Sequence, residues 1–160
     1  ERLNVIYAVT GGDFGDGSVG NEGDLYMHSV VASYQINECL EYVLHHDYFE
    51  NTNTAAGTIT AGGINQYLFY TLSSCHKLGL RMEWFEDQDG ARVAQPAGNP
   101  GAYAGGDFYS VTAGLNYTPN CNVIVRPEVR YDWFNGDGEP FADGTKKDQF
   151  FYGMDFILLY

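Results

Sequence analysis

The chain has 160 residues, enough for one domain, and a formal net charge of −13. That charge argues against a nucleic-acid partner, because phosphate binding needs a basic face. No run of about 18 apolar residues occurs, so a transmembrane helix is excluded.

Helix formers such as Lys and Ala are sparse and aperiodic, while 20 Gly, 13 Tyr and 10 Phe point to strands joined by turns. The mean hydropathy is negative. That suits a soluble protein, but also a transmembrane barrel, whose strands face lipid only at every second residue. The acidic residues fall mostly in Gly-rich segments, as in solvated loops. The chain opens at Glu1 without an initiator Met or a charged-then-apolar leader. The expectation is a removed signal peptide or a piece of a longer protein.

Period-two alternation predicts eight strands in chain order. The first covers about Arg2–Thr10, with Leu3, Val5, Tyr7 and Val9 on one face. The second covers about Leu25–Ile36; Tyr26, Val30, Ala32, Tyr34 and Ile36 alternate, but Leu25, Met27 and Val31 make the opposite face apolar too. The third covers Leu40–Phe49, with Leu40, Tyr42, Leu44, His46 and Tyr48 against Glu41, Val43, His45 and Asp47. The fourth covers Ile64–Ser73 and the fifth Leu78–Phe85, where Leu78, Leu80, Met82 and Trp84 oppose Gly79, Arg81 and Glu83. The sixth covers Phe108–Tyr117, with Ser110, Thr112, Gly114 and Asn116 on its polar side. The seventh covers Asn122–Phe134; Val123, Val125, Val129, Tyr131 and Trp133 oppose Arg126, Glu128, Arg130 and Asp132. The eighth covers Gln149–Tyr160.

The connections alternate in length. Asn37–Cys39, Ser73–Lys77 and Thr118–Cys121 are tight turns; Gly11–Asp24, Glu50–Gly63, Glu86–Gly106 and Asn135–Asp148 are long and polar. Short turns on one side and long loops on the other is the outer-membrane barrel pattern. A repeat reinforces it: Cys39, Cys75 and Cys121 each open a strand that ends on an aromatic pair, Tyr48-Phe49, Trp84-Phe85 or Trp133-Phe134.

Parity alone does not say which face is buried. In a soluble barrel the apolar face fills the core; in a membrane barrel it meets lipid and the charges point into the lumen. Aromatic position favours the second. Tyr34, Tyr70 and Tyr117 lie near the tight turns and Tyr48, Trp84 and Trp133 near the long loops, all on the apolar face, as two interface girdles require. The last strand ends on Tyr160 after Phe156 and Leu158, which resembles the signal read by the outer-membrane assembly machinery, although Asp155 stands where that signal prefers Gly.

Three runs carry a family resemblance: Gly63-Ile64-Asn65-Gln66-Tyr67-Leu68-Phe69-Tyr70, Leu78-Gly79-Leu80-Arg81-Met82-Glu83-Trp84-Phe85, and Val125 through Phe134. Together with Asp143–Phe150 they resemble the OmpL-like β-barrel porins. The resemblance covers Ile64–Tyr160 well and the first third more loosely. It implies an outer-membrane location in a Gram-negative-type bacterium. Members of that family are usually longer, which implies that this chain is the C-terminal part of a larger barrel.

The candidate pore-lining residues are Glu41, His45, Asp47, Arg81, Glu83, Arg126, Glu128, Arg130 and Asp132. They form either a salt-bridged interior or a charged constriction that selects solutes. No metal is expected: Asp87-Gln88-Asp89-Gly90 and Asn135-Gly136-Asp137-Gly138-Glu139 lack the ligand spacing of a calcium loop and read as solvated turns. His45 and His46 point to opposite faces and cannot chelate together. Gly11–Gly15 is followed by neither Lys nor a helix, so it is no phosphate cradle. Alternate turns stand about 10 Å apart, so the three cysteines read as free. No motif links Ser, His and an acid into a catalytic triad, and no cofactor is expected.

The sequence therefore predicts an all-β chain, a transmembrane antiparallel up-and-down β-barrel with eight strands here, forming one domain over residues 1–160 or the C-terminal portion of one. The function expected is a passive channel for small polar solutes or ions, in contact with membrane lipid and open to homo-oligomerisation as a trimer, and not an enzyme. A small closed structural or adhesive barrel and a soluble lipocalin-like carrier are the alternatives.

Overall fold

The computed structural model describes residues 2–13, 24–54, 57–90, 92–93, 101 and 103–159. Eight strands run in order: β1 (Leu3–Asp13), β2 (Asp24–Gln35), β3 (Leu40–Thr54), β4 (Gly57–Ser73), β5 (His76–Asp87), β6 (Tyr103–Asn120), β7 (Val123–Gly138) and β8 (Asp148–Leu158). They form one antiparallel sheet of order β1 to β8, each strand bonded only to its sequence neighbours. No helix occurs among the described residues, and β1 does not pair with β8, so the sheet is open. This is the predicted all-β, up-and-down architecture, and an open sheet is consistent with part of a larger barrel.

Several strands outrun the predicted segments. β3 continues to Thr54, β4 starts at Gly57 rather than Ile64, β6 spans Tyr103–Asn120, and β7 reaches Gly138. The long loop expected over Glu50–Gly63 is mostly paired ribbon, interrupted by one register shift between Asn51 and Thr54. Thr, Asn and Gly dominate this stretch and set up no apolar alternation, yet the backbone ladder persists. At the other end β8 stops at Leu158, and Tyr160 lies outside the described residues.

The tight turns repeat one device. Asn37 Oδ1 accepts from the amides of Cys39 (2.9 Å) and Leu40 (3.0 Å). Ser73 Oγ accepts from Cys75 N (3.2 Å), and Asn120 Oδ1 from Asn122 N (3.0 Å). Such side-chain caps mimic a backbone turn. The carbonyls of Cys39 and Cys75 then accept from Thr71 and Thr118, each at 2.8 Å. The repeat seen in the sequence is thus a repeat of hairpin geometry. All three cysteines are free thiols.

There is almost no apolar core: of the described hydrophobic residues only Ala61 and Phe134 are buried. The remaining apolar side chains lie largely on one exposed face.

Candidate pore-lining face

Register fixes which residues share a face. Trp84, Tyr109 and Trp133 lie abreast on β5, β6 and β7. Below them on the same face stand Met82, Val111 and Tyr131, then Leu80, Ala113 and Val129. Tyr109 stacks on Trp133 at 5.3 Å with 9° between the rings. Eight residues separate Tyr109 from Tyr117, a rise of about 26 Å along the strand. That is near the roughly 25 Å height of an outer-membrane apolar band. The register also settles β2: Tyr26, Val30, Ala32 and Tyr34 belong to this face, while Met27 and Val31 join the other. One mid-height polar exception is Gln66, whose Oε1 accepts from Tyr42 Oη at 2.8 Å.

This apolar face is the exposed one: Leu80 is 37% and Met82 46% accessible, whereas Ser110 and Asp132 on the opposite face are 3% and 4%. The polar face is concave. A groove of about 600 Å³ is lined from β4 to β8 by Tyr67, Arg81, Thr112, Glu128, Arg130 and Asp155, among others. In a flat sheet β4 and β8 stand about 19 Å apart, so lining one groove requires the sheet to curl toward its polar side. Small residues on β6, Ser110 to Asn116, permit that curl.

The nine sequence-predicted residues all fall on this polar face, in separate clusters. On β5 Arg81 Nη2 lies 3.3 Å from Glu83 and reaches Thr112 and Ser110, at 3.4 and 3.5 Å. Ser110 in turn donates to Glu83 at 3.0 Å. On β7 Arg130 is in contact with Asp132, which also accepts from Gln149 at 2.7 Å. Arg126 reaches across to Asp155 on β8, with Nε donating to Oδ1 at 2.8 Å and Nη2 to Oδ2. On β3 His45 Nε2 lies 3.1 Å from Ser29 Oγ and 3.0 Å from Asp47 Oδ1, while Glu41 meets Lys77 at 3.4 Å. Glu128 also lines the groove. The β5 and β7 stripes do not touch one another.

Lys77 and Asp155 were not singled out in the sequence. Alternation along β8 sets Tyr152, Met154 and Phe156 on one side and Asp155 on the other, so it was findable. The concave phenylalanines were less so. Phe69 lies against Gly79, where an added Cβ would meet the ring at 3.3 Å; Phe151 lies against Gly153 and Phe134 against Gly106 and Gly136. These rings lie against glycines, an arrangement that also shields a bare stretch of strand, and Phe69 and Phe151 line the groove as well.

Of the turn expected after β5, Gln88 and Asp89 are exposed but Asp87 is not. Asp87, expected in a solvated turn, is fully buried. Its carboxylate accepts from the amides of Arg92 (3.1 and 3.2 Å) and Val93 (2.8 Å). Arg92 then sits 4.1 Å above the Phe49 ring on the concave side. Phe141, from the connection before β8, packs edge-on to Phe108. Asn135 and Asp137 remain exposed. No cluster of three or more potential metal ligands occurs among the described residues.

An open sheet with an apolar convex face and a charged concave face is the anatomy of a porin wall. A family model described as "Putative beta-barrel porin-2, OmpL-like" matches residues 1–160. The chain belongs to this family. The match includes the first third, where the resemblance in sequence is looser, and where β1–β3 continue the same face assignment into this member of the porin-2 family. No curated protein matches the chain.

Proposed function

We propose that this porin-2 family member forms part of the wall of an outer-membrane channel through which small polar solutes diffuse passively. One observation supports this above the others: large apolar side chains occupy the exposed convex face while charges occupy the concave one. Water penalises that arrangement and lipid favours it. A lipocalin-like carrier needs the reverse, an apolar interior within a polar exterior, so the structure speaks against that alternative.

Lipid also excludes unpaired sheet edges. The outer edges of β1 and β8 have no strand partner among the described residues, so in this reading further strands, or another copy, complete the ring. Eight closed strands would leave an interior just filled by side chains, whereas channels with an aqueous lumen have about 16–18. That contrast separates the channel from the small closed structural barrel.

The test is extraction and reconstitution of the native polypeptide. A membrane-located protein that needs detergent, migrates differently on gels before and after boiling, and lets small sugars swell liposomes would support the proposal. A monomer fully soluble without detergent would overturn it, and a native chain of near 18 kDa closing on itself would favour the structural barrel.

A further inference from the structure

We infer that this wall makes the passage cation-preferring, with Glu128 as the residue that sets the preference; the inference rests on the channel reading above. Fixed charges on the wall act on permeating ions only to the extent that they are not already neutralised at contact distance.

On the concave face almost every cation is neutralised. Lys77 has Glu41, Arg81 has Glu83, Arg126 has Asp155 and Arg130 has Asp132. Near the long-loop side Arg92 and Asp47 line one smaller cavity of about 410 Å³ and offset each other. Glu128 is different. It stands on β7 between Arg126 and Arg130, but both guanidiniums are engaged at contact distance elsewhere, and Glu128 feels Arg126 only through the weakest of the attractions acting on that guanidinium. Its cross-strand neighbours are Gly114 on β6 and Gly153 on β8, which have no side chains to offer. Glu128 is exposed and lines the main groove. No ion pair or hydrogen bond reaches its carboxylate among the described residues.

A carboxylate flanked by glycines on both sides, in the middle of a wall of closed pairs, leaves its negative charge to the solution. Mobile cations then supply the missing counter-charge. The acidic balance of the whole chain, −13, acts in the same direction by concentrating cations at the mouth.

The test uses the native full-length protein in planar bilayers under a KCl gradient at neutral pH. The wild type should give a reversal potential of cation-selective sign. Glu128→Gln should lower the K⁺/Cl⁻ permeability ratio by about twofold, while Val129→Ala, on the convex face of the same strand, should leave it unchanged. Heat-modifiable migration of each variant establishes folding. An anion-selective wild type, or a ratio untouched by Glu128→Gln, overturns the inference while leaving the channel intact. Folded wild-type protein that never opens a conducting path overturns the channel reading itself.

Discussion

Arg126 and Asp155 face each other across the β7–β8 ladder, with two guanidinium nitrogens directed at two carboxylate oxygens. Arg130 and Asp132 make the neighbouring pair along β7 itself. The two pairs differ in burial: the Asp155 side chain is 53% accessible, that of Asp132 only 6%. Neutralising both arginines releases two carboxylates, so Arg126→Gln with Arg130→Gln should make the channel more cation-selective, not less. A reversal potential unmoved in a folded double variant would reduce both pairs to scaffolding.

The same burial contrast predicts a ranking in stability. Arg126→Gln breaks a half-exposed, solvent-screened pair and should cost little. Arg130→Gln strands a buried carboxylate that keeps only Gln149, which should cost about 1–3 kcal/mol. Urea unfolding in lipid vesicles measures both, and a reversed order would mean that Asp132 is satisfied by something other than Arg130.

Met82 and Thr112 sit on opposite faces of adjacent strands. Met82→Arg puts a charge on the convex face near mid-height and should destabilise the lipid-embedded protein by about 2–4 kcal/mol. Thr112→Arg adds the same charge to the concave face and should be tolerated at folding, while narrowing the groove and lowering conductance. Equal penalties for the two would contradict the face assignment.

How much of this was legible beforehand depended on the solvent each residue meets. Strand order, the tight turns and the polar face of β5 and β7 followed from alternation, because one side of each strand is apolar and the other is not. β2 did not yield its parity: Met27 and Val31 put apolar groups on the concave side opposite Phe49 and His45, and pattern alone cannot rank two apolar faces. The ends of β3, β4, β6 and β7 were invisible because Gly, Asn and Thr dominate them and leave no apolar side to alternate, even where residues such as Ala61 and Gly106 are buried. Partner choice was also hidden. Nothing local to Arg126 says that Asp155, 29 residues on, is the group it reaches, while Glu128 two places away is left alone.

Gly79 is the support on which Phe69 rests. Gly79→Val would push branched methyls into a ring already 3.3 Å from the position of a Cβ, tilting it into the groove. The expected result is a smaller single-channel conductance with little change in selectivity, because no charge has moved. Conductance equal to wild type in a folded Gly79→Val variant would show that the ring lies outside the conducting path.

Cys39, Cys75 and Cys121 mark one side of the sheet, that of the tight turns. In outer-membrane barrels short turns face the periplasm. A bulky maleimide added to intact cells should therefore leave all three thiols unmodified. Permeabilising the outer membrane should expose Cys39 and Cys121 first, since Cys75 is the least accessible of the three. Labelling in intact cells would invert the topology.

In the proposed outer-membrane setting, the ladders that run on past the aromatic row have a consequence for whatever meets the protein from outside. From Tyr48 to Thr54 the β3 strand climbs about 20 Å above the girdle, still paired with β4 apart from its one irregularity. β6 and β7 do likewise from Tyr109 to Tyr103 and from Trp133 to Gly138. A protease must unzip hydrogen-bonded ribbon before it can thread these segments into its cleft. An antibody or a phage tail fibre would meet the same segments as stiff, standing combs whose backbone shape, more than side-chain identity, offers the grip.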